Sequence, residues 1–425
     1  MQKIYTPARV MPKTGDTLGM LGFGCMRFPR KLGSTDMDKT EKLILDAIEH
    51  GVNYFDTAYM YPGNEKTLGT ILSKSDNGIK RRDRVHIATK LPLMTVKSSD
   101  DLDKFFRTSL ERLETDHVEY YLVHNITGLN EWKRFEQLGG PAFLTRIQDE
   151  GAAKHIGFSY HGNLIDFREI IDAHPWEFVQ IQYNYIDDNF QAGEEGLRYA
   201  AEKGLGIVVM EPLRGGTLAS KLPKKAKEII DGYADSFGVK RSAAEWALRW
   251  VWNHPEVTVA LSGMNEADQL TANITTAISV VADTSDVSDV PRSDFTGKYA
   301  GALSAEDFTM IANVKEEINR ATKVPCTGCS YCMPCPAGVN IPQCFGMHNS
   351  YFMFKELKYV LSYGMYTGIG SKQASNASLC KKCGQCEKKC PQHLPIMNAL
   401  DETVRDMEKW YFKLPVTLAA KVLRR

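Results

Sequence analysis

Short apolar runs recur along the first two-thirds of the chain, each closing on a polar or small residue and most followed by a longer amphipathic stretch. The runs occupy residues 22–26, 52–56, 85–90, 118–124, 155–159, 178–182, 206–210 and 257–262. Their length and their content of Val, Ile, Phe and Tyr predict β-strands. The stretches between them, such as 40–50, 102–113 and 194–203, space their apolar residues as one face of a helix does. Strands alternating with helices imply an α/β fold with a parallel sheet, and eight repeats is the number that closes a (β/α)8 TIM barrel. A doubly wound dinucleotide-binding sheet needs fewer strands and a Gly-x-Gly-x-x-Gly turn after the first, which is missing.

Beyond residue 279 the pattern changes. Ser, Asp, Val and Pro without period over 279–296 predict a linker, and Ser304-Ala-Glu-Asp307 predicts a helix start by the capping-box pattern, running to about 322. Residues 352–366 are amphipathic and predict one helix. The tail 401–425, with Trp410, Tyr411, Phe412 and Leu414, predicts a helix that docks on the barrel rather than a membrane anchor. The expected organisation is a barrel over 1–280, a linker and connecting helix over 281–320, a small, mostly α, ferredoxin-like domain over 321–400, and a C-terminal helix over 401–425.

The 425 residues are 43% hydrophobic, enough for a large core, and Lys+Arg and Asp+Glu both number 52. That balance points to neither nucleic acid nor an acidic membrane surface. No run reaches the ~18 apolar residues of a membrane span, and the start lacks the apolar region of a secretory signal. Unpaired cysteines fit a reducing compartment, so a cytoplasmic location is expected.

Nine of the ten cysteines lie in the last hundred residues, and eight form two runs. The first is Cys326-x-x-Cys329-x-x-Cys332-x-x-Cys335-Pro336; the second is Cys380-x-x-Cys383-x-x-Cys386-x-x-x-Cys390-Pro391. Thiolates at this spacing return soft anionic ligands to one small iron–sulfur core, and two [4Fe-4S] clusters are expected. Zinc is the rival, but it usually takes two separated pairs, whereas each run here has a third and fourth cysteine followed by proline. In two-cluster ferredoxins the fourth cysteine of one run ligates the other cluster. That exchange groups Cys326, Cys329, Cys332 and Cys390, and separately Cys380, Cys383, Cys386 and Cys335. The surplus thiols Cys25 and Cys344 read as small buried hydrophobes.

In a barrel of this type, ionisable residues at the C-terminal ends of strands are the catalytic candidates. Asp56 ends the second strand, Tyr61 follows on the loop, Lys90 ends the third and His124 the fourth. These residues resemble the aldo-keto reductase family. Asp56-Thr57-Ala58-x-x-Tyr61, Lys90 after Ala-Thr, and Leu122-Val123-His124 match its Asp–Tyr–Lys–His motifs, and Gly157-Phe158-Ser159, Val179-Gln180-x-x-Tyr183, Glu211-Pro212-Leu213 and Ser262-Gly263 extend the match. The C-terminal extension resembles that of the branch carrying a ferredoxin-type domain.

The resemblance implies hydride transfer between a nicotinamide and a carbonyl or alcohol. Tyr61 would give the proton, Lys90 would lower its pKa from about 10, Asp56 would hold Lys90, and His124 would bond the carbonyl oxygen. It implies cofactor contacts from Cys25, Met26 and Asp56, and from Ser159 and Gln180 to the carboxamide. Met210, Glu211, Pro212, Leu213 and the Gly215 turn would lie along the nicotinamide and pyrophosphate. Gly263, Met264, Gln269 and Asn273 would grip the adenosine. Members committed to NADPH tend to place Lys and Arg where Gly263 and Gln269 stand here; NADP(H) is expected on family grounds, with NAD(H) as the alternative. Phe28, Tyr59, Tyr160 and His161 are the hints of a substrate pocket. The clusters would serve electron transfer, structure or redox sensing; a ferredoxin or flavoprotein is a candidate redox partner, and Lys381, Lys382, Lys388 and Lys389 around the second run are a basic docking face or a solvated surface that offsets the anionic clusters. The alternative function is a non-catalytic nucleotide or redox sensor, or an electron carrier, that kept the barrel.

Overall fold

Eight parallel strands close on themselves in the order of the chain, each paired with the next and the eighth with the first. They are β1 (Leu21–Gly24), β2 (Tyr54–Asp56), β3 (His86–Leu91), β4 (Val118–Ile126), β5 (Ala153–Tyr160), β6 (Phe178–Gln182), β7 (Gly206–Met210) and β8 (Val257–Ser262). The computed structural model describes residues 5–282, 303–326, 328, 331–371, 374–390 and 393–409. Two compact units share the chain: one holds residues up to Ser220 with Arg241–Phe308, the other Lys221–Lys240 with the described residues from Thr309 onward. Most of the 279–296 linker and all of the tail beyond residue 409, with Trp410, Tyr411, Phe412 and Leu414, lie outside the described residues. Among the described residues no helix is long and apolar enough to cross a membrane.

Side chains alternate across a strand, so every second residue enters the barrel. Tyr54, Ala88, Tyr120, Leu122, Phe178, Val208 and Val259 form one buried cluster. Gly157 makes room for it, since a Cβ there would stand 2.6 Å from the Phe178 ring. Met11 and Leu18 belong to the same cluster. They sit at the turn and return strand of an antiparallel hairpin, Ala8–Val10 with Thr17–Gly19, that precedes the barrel. The sequence pattern did not predict this hairpin, because three-residue strands carry too few positions to show a period.

Polar groups follow the same end of the barrel. Tyr120 donates to Asp16 Oδ2 at 2.6 Å, and the His155 ring lies 2.9 Å from Glu177 and 3.5 Å from Asp16. Burial opposes the charge on His155, but the two carboxylates outweigh it and raise its pKa to about 9.

In the second unit the helices Ile341–Phe354, Lys358–Tyr366 and Ile396–Met407 enclose a core of Val339, Phe345, Val360, Tyr363, Leu400 and several cysteines. The single helix expected over 352–366 is two helices. Lys355 takes φ +55 as the C-cap of the first, and a left-handed residue ends a helix. The capping box at Ser304 forms: Asp307 N donates to Ser304 Oγ and Ser304 N donates to Asp307 Oδ2, and the helix spans Ala305–Asn319.

The folded pKa of His155, about 9, exceeds the unfolded value of about 6.5. Its stabilisation is therefore complete below about pH 6.5 and fades as pH rises through 9. The gap in thermal midpoint between the parent and His155→Gln should shrink between about pH 6 and pH 10. A gap constant over that range would refute the assignment.

Candidate active site

The alternation that fills the barrel also aims its polar residues. Two positions beyond Tyr54, Ala88, Leu122 and Phe178 stand Asp56, Lys90, His124 and Gln180. The strand register sets Asp56 opposite Ala88 and Lys90 opposite Leu122, so these inward groups share the C-terminal mouth.

Lys90 and Asp56 form a buried ion pair. Lys90 Nζ donates to both carboxylate oxygens of Asp56 at 2.6 Å and to the Thr57 carbonyl at 2.7 Å, which employs all three of its protons. Burial pushes the Asp56 carboxyl up, against the pull of the ammonium and of a hydrogen bond from Gln180. The same Nζ lies 5.3 Å from the Tyr61 ring centroid. The Tyr61 and His124 rings meet edge to face at 6.0 Å. Burial drives the pKa of His124 well below its ordinary value, reinforced by the positive charge on Lys90. The imidazole is therefore neutral at neutral pH.

Ser159 and Gln180 face each other across β5 and β6. Ser159 Oγ accepts from Asn125 N at 2.7 Å, and Gln180 Oε1 is buried without a hydrogen-bond partner. Gln182 is engaged elsewhere, donating to Asp187 at 2.8 Å and accepting from Gln191. After β7, Glu211, Arg214, Gly215 and Gly216 all have positive φ. Two of these carry a Cβ, and the strain is held by Asn184, which donates to Glu211 O, and by Asp187, which accepts from Arg214 Nε at 3.0 Å. Pro212 and Met264 are buried, Leu213 is half-buried, and Met210 packs on the barrel core. After β8, Gln269 Oε1 accepts from Asn265 N, and the buried Asn273 donates to Ser262 Oγ. Cys25 is wholly buried and Met26 exposed.

Two pocket hints prove to be core. Tyr160 is fully buried, packs on Phe158 and Phe167 and donates to Asn163 O, because alternation from the inward Ser159 turns it to the barrel's outer face. Phe28 is buried near Phe23. Tyr59 stacks on the Arg112 guanidinium at 4.2 Å. His161 shares the mouth with His124, whose charge it opposes.

In the second unit, Cys335, Cys380, Cys383 and Cys386 line one small cavity, with Ile341, Met397 and Leu400 as apolar walls. Backbone amides donate to two of the run thiols, Gly328 N to Cys326 Sγ and Lys382 N to Cys380 Sγ, each at 3.4 Å. Cys332 and Cys390 are buried in the same core, and Cys383 is exposed. Cys329 lies outside the described residues. Among the described residues no group of three His, Cys, Asp or Glu is arranged for a single metal ion. Cys344 is buried beside Tyr363 and is no part of the cavity lining.

Residues 20–293 match the aldo/keto reductase family, and residues 325–395 match the 4Fe-4S dicluster domain. The chain belongs to the aldo/keto reductase family. This aldo/keto reductase is 29% identical over 293 residues to the uncharacterized oxidoreductase YrpG of Bacillus subtilis (strain 168), covering 61% of this chain and 87% of the relative. It is 26% identical over 286 residues to L-galactose dehydrogenase of Arabidopsis thaliana, covering 63% and 86%. An aldo-keto reductase of Bacillus halodurans in its holo form superposes with a TM-score of 0.55 at 23% identity, over 73% of this chain and 96% of that one, a likeness of fold. The family's barrel and a C-terminal 4Fe-4S domain thus share one polypeptide.

Asn184 and Asp187, which brace the turn after β7 in this aldo/keto reductase, were missed from sequence. They lie on a loop without period, and their one signal is a polar pair among the aromatic and aliphatic residues of Tyr183-Asn184-Tyr185-Ile186-Asp187.

The ion pair yields a stability prediction. Lys90→Met leaves a buried carboxylate without its cation and should cost about 3–5 kcal/mol, whereas Asp56→Asn/Lys90→Met removes both charges and should recover most of it. Denaturation midpoints of the three proteins check this; equal losses in both variants would refute it.

Proposed function

We propose that this chain is a nicotinamide-dependent oxidoreductase of small carbonyl or alcohol substrates, with Tyr61 as proton donor in reduction and base in oxidation. The observation that carries the reading is the Lys90 ammonium, pinned by Asp56 and Thr57 and set 5.3 Å from the Tyr61 ring. A fixed positive charge in a buried site favours the tyrosinate and so brings the phenol towards the pKa that proton transfer needs. His124, neutral and at the Tyr61 ring edge, is suited to donate a hydrogen bond to the substrate oxygen as negative charge develops there. A non-catalytic sensor has no use for this acid–base pair.

The mouth suits a nicotinamide. Gln180 Oε1, buried and unpartnered, is an acceptor for a carboxamide N–H, and Ser159, whose oxygen already accepts from Asn125, retains its own proton to donate. Met210 would lie beside the ring, the Gly215-Gly216 turn along the phosphates, and Gly263, Met264, Gln269 and Asn273 along the adenosine side. The bound cofactor would supply or accept the hydride; the chain would orient the carbonyl and move the proton at the Tyr61 oxygen. NADP(H) is the proposed cofactor, with NAD(H) as the alternative. A sugar dehydrogenase among the relatives supports a polar small-molecule substrate. Tyr61→Phe should lower kcat by at least about 1,000-fold while the dissociation constant of the nicotinamide stays within about twofold. Rates and calorimetry together test this, and retained turnover would end the assignment.

Two [4Fe-4S] clusters are proposed for the second unit. The cavity lined by Cys335 with Cys380, Cys383 and Cys386 supports the exchange in which the first run lends its last cysteine to the second. The other cluster would take Cys326, Cys329, Cys332 and Cys390. Such clusters supply one-electron transfer, and a ferredoxin or flavoprotein is the proposed partner in a reducing, cytoplasmic setting. Cys335→Ser should alter the electron paramagnetic resonance signal of one cluster and should match Cys383→Ser rather than Cys332→Ser. A match to Cys332→Ser would reverse the partition.

A further inference from the structure

Neither Gly263 nor Gln269 brings a positive charge to the loop after β8, yet a charge is present at that place. Arg27 ends the short 3-10 turn Cys25–Arg27 that follows β1. Its stem lies along Gly263: a Cβ added there would come within 3.3 Å of Arg27 Cδ and 3.6 Å of its Cβ and Cγ. Its Nη1 donates to Gly215 O at 3.1 Å, in the turn after β7. One exposed side chain thus spans the loops that follow β1, β7 and β8.

A guanidinium carries five N–H donors. Among the described residues Arg27 uses one and has no carboxylate partner. Glu266, on the same loop as Gly263, is occupied by Lys39 at 2.6 Å. An exposed guanidinium without a carboxylate partner, set against the Gly215 carbonyl and Gly263, is a fork of donors suited to phosphate oxygens. The bare Cα of Gly263 lets the Arg27 stem lie close, since a Cβ there would press on its Cδ at 3.3 Å.

We propose that Arg27 anchors a phosphate of the bound dinucleotide, from the loop after β1, in the role left open by the missing basic residue at position 263. The inference rests on the nicotinamide reading given above. The shared chemistry is a phosphate, and the two sources are the pyrophosphate, common to both cofactors, and the 2′-phosphate of NADP(H).

Isothermal calorimetry of the full-length holoprotein with NADPH and with NADH separates them. Arg27→Gln should raise the dissociation constant roughly 10- to 100-fold, as expected for loss of charge-assisted hydrogen bonds. A loss for both cofactors assigns the pyrophosphate, and a loss for NADPH alone assigns the 2′-phosphate. Arg27→Lys, which keeps the charge without the fork, should fall between. Unchanged affinity for both cofactors in a folded Arg27→Gln protein would overturn the Arg27 assignment alone. Failure of the parent protein to bind either cofactor would overturn the nicotinamide reading and this assignment with it.

Discussion

The buried pair of Asp56 and Lys90 is the constraint around which the mouth of the barrel is arranged. Two charges taken out of water are tolerated only when their mutual geometry is good and every remaining donor is met. Here three short hydrogen bonds meet all three ammonium protons. The partners come from adjacent strands, β2 and β3, whose register sets Asp56 beside Ala88, two residues before Lys90 on the same inward face. The backbone carbonyl of Thr57 completes the set. Closure of the barrel therefore determines where the charge sits, and the charge determines which neighbours can be useful. A neutral imidazole and a phenol beside a fixed cation form a different acid–base system from the same groups in water.

The strands were legible because each is a compact apolar run with a turn signal, and the candidate site because three polar strand tips, Asp56, Lys90 and His124, interrupt that rule at one end. Period two explains both facts at once: Tyr54 and Asp56, or Leu122 and His124, are the same face of one strand at different depths. Tyr160 misled for the same reason, since a neighbour of an inward residue points outward. Features that depend on contacts distant in sequence were not legible. The grip of Asn184 and Asp187 on the strained turn after β7 joins two loops. The bridge of Arg27 to Gly215 joins residues 188 positions apart. No local pattern announces either one.

The barrel also separates its tasks by end. Asp16, Tyr120, His155 and Glu177 form a polar cluster near the strand starts, while the groups proposed for chemistry occupy the strand ends. Residues at the closed end of such barrels serve stability and those at the open end serve chemistry. Substitutions at one end are thereby largely insulated from the other, with the packed layer of Tyr54, Leu122, Phe178 and Val208 between them.

The cavity of the second unit has a further consequence. Its four cysteines lie on both sides, in sequence, of the helices Ile341–Phe354 and Lys358–Tyr366. An inorganic core held there would tie the chain into a closed loop around that helical pair. Closing a loop restricts the unfolded chain, and a ligand bound only by the folded form adds its binding energy to folding. Iron supply would then bear on how this unit matures, and Cys383, the exposed thiol of the four, is where oxidants would first reach such a core.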